Sequence, residues 1–231
     1  MPDPRQHVAC NHCGKDDAAP AAEQNGYRIV RCRGCGLVYV DPRPSAESLP
    51  GLYAEYHVRD GGDESSWNRL MAANFLEAAE CLERMRGAAG PGRVLDVGCG
   101  YGGFVRLMRK RGWDAEGIDP SPATVAAAAR GGLPVRLGTL EEADGTYDAV
   151  TLFYVLEHLP DTSAALRKLS GLLAPGGTLL LRVPHTAPIV RLLRPFGLDG
   201  TLFDPPFHLF DFPPRVLGDM LRSAGFVDVR T

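Results

Sequence analysis

Val94-Leu95-Asp96-Val97-Gly98-Cys99-Gly100-Tyr101-Gly102-Gly103 reads as a strand that runs into a glycine-rich turn. Glycines at a strand-to-helix turn let a ligand touch the backbone. From about residue 91 onward, β-branched or leucine-rich runs alternate with helical patterns, the mark of a parallel sheet with crossover helices. Strands are expected near 93–97, 114–118, 133–137, 147–153, 178–183 and 226–230, with helices between them. One helix starts with Ser121 as N-cap and Pro122 at its first position and stops at Gly131-Gly132. The next begins at Asp161-Thr162, turns Leu166, Leu169, Leu172 and Leu173 inward, and breaks at Pro175-Gly176-Gly177. The last runs from Pro213 to Gly225. The expected fold is α/β, a Rossmann-like, doubly wound and mostly parallel sheet.

Read literally, Gly98, Gly100 and Gly103 satisfy the dinucleotide fingerprint. Asp119, 21 residues after Gly98, is placed for ribose hydroxyls. Asp96 discriminates. A carboxylate two residues before the first glycine sits poorly beside a pyrophosphate but suits the ammonium group of an amino acid. The turn therefore points to S-adenosylmethionine.

Upstream, Cys10-Asn11-His12-Cys13-Gly14 and Cys32-Arg33-Gly34-Cys35-Gly36 are two C-x2-C-G turns 18 residues apart, the spacing of a four-cysteine zinc site. The glycine after each turn permits the positive φ that aims backbone amides at sulfur. Four thiolates close a tetrahedral shell, so Cys10, Cys13, Cys32 and Cys35 imply a structural zinc, with His7 and His12 left on the surface. Cys81 and Cys99 stand where a small apolar residue suffices. Residues 1–41 form a zinc ribbon with strands at Tyr27–Val30 and Leu37–Val40, too small to fold without metal. Asp41-Pro42-Arg43-Pro44-Ser45 opens a second stretch, residues 42–90, as a stiff linker. Within it Ser65-Ser66 cap a helix whose Trp67, Leu70, Met71, Phe75, Ala78, Leu82 and Met85 face the core until Gly87. Residues 91–231 form the third stretch, the α/β core.

Composition excludes several classes. The chain has 231 residues, 45% hydrophobic and 23% charged, with a formal net charge of -3. That is ordinary globular chemistry, and a chain this long buries roughly 70% of its unfolded surface. No run approaches the ~18 apolar residues of a membrane span, and Met1-Pro2-Asp3-Pro4 lacks the features of a signal peptide, so a cytoplasmic location without membrane partners is expected. No block of like charge offers a footprint for a polyanion, which disfavours nucleic acid.

Leu95-Asp96-Val97-Gly98-Cys99-Gly100, Gly117-Ile118-Asp119-Pro120-Ser121, Tyr147-Asp148-Ala149-Val150, Val155-Leu156-Glu157-His158-Leu159 and Leu173-Ala174-Pro175-Gly176-Gly177 together resemble the class I S-adenosylmethionine-dependent methyltransferases, over residues 91–231. The ribbon followed by Cys35-Gly36-Leu37-Val38-Tyr39-Val40-Asp41-Pro42-Arg43-Pro44 is similar to the bacterial subgroup with an N-terminal zinc module, some of which tailor sugars and natural products. The resemblance implies that Asp96, Gly98, Gly100 and Gly102 contact the methionine part of the cofactor and Asp119 the ribose. It places Thr139-Leu140-Glu141 by the adenine. The acidic residue often found at Thr139 is absent, which leaves adenine recognition to backbone groups.

The fourth strand opens into Phe153-Tyr154-Val155-Leu156-Glu157-His158, at the switch point where such sheets bind ligands. Some relatives hold a metal here through a carboxylate three residues before the Glu-His pair; Tyr154 takes that position, which argues against a catalytic metal. In sugar C-methyltransferases of the zinc-bearing type a Tyr, Glu and His near this turn handle the acceptor's proton. By that resemblance His158 is the general base, Glu157 orients it and Tyr154 binds the acceptor; alternatively His158 only closes the turn over the methionine moiety. Pro205-Pro206-Phe207-His208-Leu209-Phe210 is shaped for a lid, with His208 either a second candidate base or a packed loop residue. Tyr53 and Tyr56 close the pocket or merely pack. Class I sheets usually finish with a hairpin carrying a seventh strand, which this chain, ending at Phe226-Val227-Asp228-Val229-Arg230-Thr231, is expected to lack. The expected activity is methyl transfer from S-adenosylmethionine to an oxygen, nitrogen or carbon atom of a small-molecule acceptor, a natural product or sugar. The alternatives are an rRNA methyltransferase with a zinc ribbon and a cofactor-binding protein that has lost catalysis.

Overall fold

The computed structural model describes residues 5–45, 47–49, 64–184, 192, 194–196 and 204–231. The chain opens with strands β1 (Arg5–Gln6), β2 (Ala18–Gln24), β3 (Tyr27–Cys32), β4 (Val38–Val40) and β5 (Arg43–Pro44). There follow α1 (Glu64–Arg86), β6 (Arg93–Val97), α2 (Gly103–Lys110), β7 (Asp114–Asp119), α3 (Pro122–Arg130), β8 (Val135–Leu137) and β9 (Tyr147–Phe153). The described elements end with α4 (Thr162–Gly171), β10 (Leu173–Arg182), β11 (Phe210–Asp211) and α5 (Pro214–Ser223). They gather into two compact units, one of Met1–Asp60, Leu156–Leu166 and Val183–Thr231, the other of Gly61–Val155 and Arg167–Arg182. The chain therefore does not divide at residues 41 and 90, because segments distant in sequence complete the ribbon's sheet.

In the second unit five strands pair in parallel in the order β10-β9-β6-β7-β8, the doubly wound sheet expected. The order reverses at β6, where chain leaving on one side returns as β9 on the other. Open α/β sheets bind their ligands at such a switch point, outside the carboxyl ends of the strands, here β6 and β9. Against the sheet α1 buries Met71, Phe75, Ala78, Ala79 and Leu82 together with Phe104, Met108, Trp113 and Phe153. The rings of Phe75, Phe104 and Phe153 pack with centroids 4.9 to 5.6 Å apart. The ends of the expected stripe differ: Trp67, Leu70 and Met85 are 37%, 71% and 54% exposed. A 23-residue helix, ~35 Å long at 1.5 Å per residue, outruns the five-residue β6. It starts at Glu64, which puts Ser65 and Ser66 inside its first turn instead of at its cap.

Ser121 does cap α3, its hydroxyl accepting from Thr124 N. Two boundaries move. α4 ends at Gly171, before Pro175-Gly176-Gly177, because Leu173 already pairs with Tyr147 in β10. The Pro-Gly-Gly segment is an irregularity within that edge strand, which a proline tolerates. Residues 226–230 form no strand: Asp228 takes a left-handed φ of +51° that interrupts the extended run, and Val227 is exposed.

The first unit carries an antiparallel sheet in the order β11-β4-β3-β2. β2 escaped the sequence pattern because Ala18-Ala19-Pro20-Ala21-Ala22 has no β-branched alternation; it pairs with β3 as an edge, with a register shift at Pro20. The supposed linker is knitted in: β5 pairs with β1, and the buried Asp41 carboxylate accepts from Val8 N at 2.9 Å and bonds His7 Nδ1 at 2.9 Å. The supposed lid is likewise built in. Phe207, Leu209, Phe210 and Phe212 are buried, Leu209 N donates to the Glu157 carbonyl at 2.8 Å, and Val40 N donates to the Leu209 carbonyl at 3.0 Å. Asn11, between two cysteines, holds the start of α4: its Oδ1 accepts from Ser163 N (3.0 Å) and Thr162 Oγ1 (2.6 Å), and its Nδ2 donates to Asp161 Oδ1 (3.0 Å).

Candidate functional site

The two C-x2-C turns bring Cys10, Cys13, Cys32 and Cys35 together, with all four sulfurs within 4.8 Å of one another. Cys10 Sγ lies 3.4 Å from Cys35 Sγ and Cys13 Sγ 3.5 Å from Cys32 Sγ. Those separations are far beyond a disulfide bond and near the ~3.8 Å edge of a tetrahedron with zinc–sulfur bonds of about 2.3 Å. Each turn closes alike, Gly14 N donating to the Cys10 carbonyl and Gly36 N to the Cys32 carbonyl, with both glycines at positive φ. Burial raises the Cys32 thiol, but hydrogen bonds from the amides of Cys35 and Gly34 and from neighbouring thiols outweigh it and bring the pKa to about 7. The donor set and spacing fit a structural zinc.

At the mouth of the parallel sheet, β6 ends in the glycine turn. Gly98 holds φ +68°, and a Cβ there would run into Val155; Gly102, at φ +71°, caps α2 in a left-handed conformation. Gly100 is also left-handed, whereas Gly103 already belongs to α2, so the glycines that open the turn are 98, 100 and 102. Asp119, at the end of β7, ties this loop down: its Oδ2 accepts from Gly100 N at 2.7 Å, and its Oδ1 accepts from Ser121 N at 2.9 Å and Thr124 Oγ1 at 2.8 Å. Asp96 is buried and accepts from Thr151 Oγ1 at 2.7 Å. Burial, opposed by that hydrogen bond and reinforced by the Asp119 charge, lifts its pKa to about 7. Thr151 was not singled out from the sequence, although a hydroxyl in the apolar run Ala149-Val150-Thr151-Leu152 is the signal that marks it. After β8, Thr139 N donates to Glu142 Oε2 at 2.8 Å, and Leu140 is buried.

β9 ends at Phe153, and the following Tyr154 has a φ of +58°, an outlier for a bulky residue; its amide donates to the Arg182 carbonyl at 2.8 Å. In the first unit, Leu156–His158 form a single 3-10 turn. His158 Nδ1 lies 2.9 Å from the Phe207 carbonyl, which makes that nitrogen the N–H donor. The Phe207 carbonyl thus orients His158, and the expectation that Glu157 does so fails: both Glu157 carboxylate oxygens are buried and have no hydrogen-bond partner among the described residues. Burial pushes the Glu157 pKa up to about 8. The rings of His158 and His208 stand edge to face with centroids 4.9 Å apart. Glu157, His158 and His208 therefore come together as one group. Tyr53 and Tyr56 lie outside the described residues.

A family model described as "Methyltransferase domain" matches residues 68–231. Trans-aconitate 2-methyltransferase of Methylobacterium radiotolerans is 34% identical over 182 residues, 71% of this chain and 67% of that protein. Ubiquinone biosynthesis O-methyltransferase of Pseudomonas aeruginosa is 32% identical over 176 residues, 70% of this chain and 75% of the relative. Among solved structures, 1,6-didemethyltoxoflavin-N1-methyltransferase of Burkholderia thailandensis, with bound 1,6-didemethyltoxoflavin and S-adenosylhomocysteine, superposes with a TM-score of 0.60. That match has 22% identity over 92% of this chain and 90% of the other, and establishes the fold. Of two further matched structures the chain spans only 53% and 56%.

Proposed function

Because this chain belongs to the methyltransferase-domain family and is an S-adenosylmethionine-dependent methyltransferase, we propose that it methylates an oxygen, nitrogen or carbon atom of a small natural product or sugar. The observation that carries this reading is the switch point of the parallel sheet, where buried Asp96 on β6 precedes the left-handed turn of Gly98, Gly100 and Gly102, and Asp119 at the end of β7 accepts from Gly100 N. Asp96 meets the cofactor's ammonium group, the three glycines open backbone to the methionine part, Asp119 binds ribose hydroxyls, and Thr139 and Leu140 border the adenine. The names of the two relatives, for trans-aconitate and for ubiquinone biosynthesis, favour small acceptors.

In the reaction the acceptor atom forms a bond to the methyl carbon as the sulfur–methyl bond breaks, and the sulfonium becomes a thioether. Holding the two reactants about 3–3.5 Å apart supplies roughly 7–11 kcal/mol of the acceleration. Tyr154 binds the acceptor, whose proton is lost at His158. The four thiolates of Cys10, Cys13, Cys32 and Cys35 hold a structural zinc that stays out of the chemistry.

Calorimetry tests the cofactor assignment. Asp119→Ala is expected to weaken S-adenosylmethionine about ten- to a hundredfold or more, since hydrogen bonds to a charged acceptor are worth about 1.5–3 kcal/mol each. Asp119→Asn keeps the side chain's shape but sets its Nδ2 donor against Gly100 N or Ser121 N, and is therefore expected to weaken cofactor binding as well. Tighter binding of NAD than of S-adenosylmethionine overturns the reading.

Asp96 adds a pH dependence. Its carboxyl has a pKa raised to about 7 in the cofactor-free protein, so at pH 6 most molecules carry a proton there. An incoming ammonium group favours the ionised form and must expel that proton. The affinity of S-adenosylhomocysteine is therefore expected to rise between pH 6 and 7 and then level off, with proton release visible as a buffer-dependent heat. An affinity flat over that range, or proton uptake, counts against Asp96 as the ammonium's partner.

A further inference from the structure

The buried stripe of α1, followed back by one turn from Phe75 and Met71, reaches Trp67 and Asn68. There the surface beneath the helix changes from apolar side chains to the glycines that follow β6. A Cβ on Gly103 would lie 2.2 Å from Asn68 Oδ1 and 3.0 Å from the Phe75 ring, and one on Gly100 would lie 3.9 Å from Trp67 Nε1. Gly103 has no left-handed φ, so the close approach of α1 is what keeps a side chain out of that position. All of these residues belong to the second compact unit, together with Asp96. Asn68 Oδ1 is buried in the niche at Gly103, and no described residue donates to it. An amide oxygen that has no donor gives up no hydrogen bond when it turns toward a ligand, and it gains one. Asn68 as a whole is only half-buried, and Trp67 beside it is exposed, so both reach the open side of the turn.

We propose that Trp67 and Asn68 close the methionine part of the cofactor against the glycine turn, Asn68 Oδ1 accepting from its ammonium group and the Trp67 indole covering its methylene chain. The assignment rests on the methyl-transfer reading, which lays the methionine part along Gly98, Gly100 and Gly102. In that part of the cofactor the ammonium is the one N–H donor, and the hydroxyls belong to the ribose assigned to Asp119. Asp96 supplies the charge that the ammonium needs, and a neutral amide beside it adds an acceptor without a second repelling carboxylate. Trp67 contributes by excluding water. Its indole loses exposed apolar surface when the cofactor is bound, and the attraction between Asp96 and the ammonium strengthens as solvent leaves. The start of α1 thus joins residues that the sequence pattern assigned only to the core.

Calorimetry and fluorescence on the full-length protein test this, with S-adenosylhomocysteine and methylthioadenosine as probes. The second probe keeps the adenine, ribose and thioether but has no amino-acid part. Asn68→Leu, which preserves size, is expected to weaken S-adenosylhomocysteine about ten- to a hundredfold and to leave methylthioadenosine within about twofold. Trp67→Ala should weaken S-adenosylhomocysteine about tenfold. The chain has two tryptophans, and Trp113 is buried. S-adenosylhomocysteine should therefore shift the emission of the wild type and of Trp113→Phe and shield it from acrylamide. It should do neither in Trp67→Ala, where the remaining Trp113 emission certifies folding. Equal losses for both probes in Asn68→Leu, unchanged affinity for S-adenosylhomocysteine in that variant, or an emission change that survives Trp67→Ala overturns the assignment and leaves methyl transfer standing. A wild type that binds neither probe overturns the methyl-transfer reading, and the assignment falls with it.

Discussion

His158→Ala is expected to cut turnover by about 10²–10⁴-fold while the dissociation constant for S-adenosylmethionine stays within a few fold. The ring is half-buried and oriented by the Phe207 carbonyl, and the residues proposed to hold the cofactor, Asp96, the glycine turn and Asp119, make their described hydrogen bonds without it. Its removal should therefore act on the step in which the acceptor loses its proton and leave cofactor affinity alone. His208→Ala should act mainly through acceptor binding, raising the acceptor concentration needed for half-maximal rate, with much of the turnover regained at saturation. If His158 only closed the turn over the methionine moiety, the pattern would invert, with weak cofactor binding and near-normal turnover once saturated. Steady-state constants for both variants, paired with calorimetric cofactor affinities, separate the two. Normal turnover in both variants would mean that the acceptor is already nucleophilic and positioning alone suffices.

What could be seen in the sequence follows from how local each signal is. β6 and its glycine turn, the Ser121 cap with Pro122, and the paired C-x2-C-G turns are each specified within about ten residues, and the structure contains all of them. Pairings between distant segments carry no local mark. Phe210–Asp211 extend the ribbon's sheet, and Asn11 bonds to the start of α4, because of a topology that no periodicity in either segment encodes. The same holds for the site. Glu157 and His158 stand out as adjacent polar residues in an apolar run, but the roles of Phe207 and His208 depend on a backbone bond from Leu209 to Glu157, 52 residues away in the chain. The orphaned carboxylate of Glu157 is a property of packing, and composition cannot show it. Periodicity also overstated the core face of α1, since a hydrophobic stripe has no knowledge of where the sheet beneath it ends.

Cys13→Ser is expected to release the zinc proposed for the four-cysteine cluster and to unfold more than the loops that bear the cysteines. Structural zinc sites of this type contribute apparent binding energies of about 10–16 kcal/mol, as much as or more than the ~5–15 kcal/mol net stability of a whole domain. Cys13 itself is exposed, so its loss opens no cavity; the effect comes from removing one of four thiolates, 3.5 Å from Cys32. The damage should then follow the hydrogen bonds. Cys10 precedes Asn11, which holds Asp161, Thr162 and Ser163 at the start of α4. Cys32 ends β3, which pairs with β4, and β4 pairs in turn with β11 beside the Leu209–Glu157 contact. Hydrogen exchange should therefore show peptides from 5–44, 156–163 and 207–223 losing protection together, while those from β6 and β7 keep theirs and the protein still binds S-adenosylhomocysteine. Cys81→Ser, on α1 and remote from the cluster in sequence, is the control and should leave metal content unchanged. Loss of protection confined to residues 10–35 would show that the ribbon is energetically separate from the segments that complete its sheet, and full zinc content in Cys13→Ser would remove the metal site itself from the account.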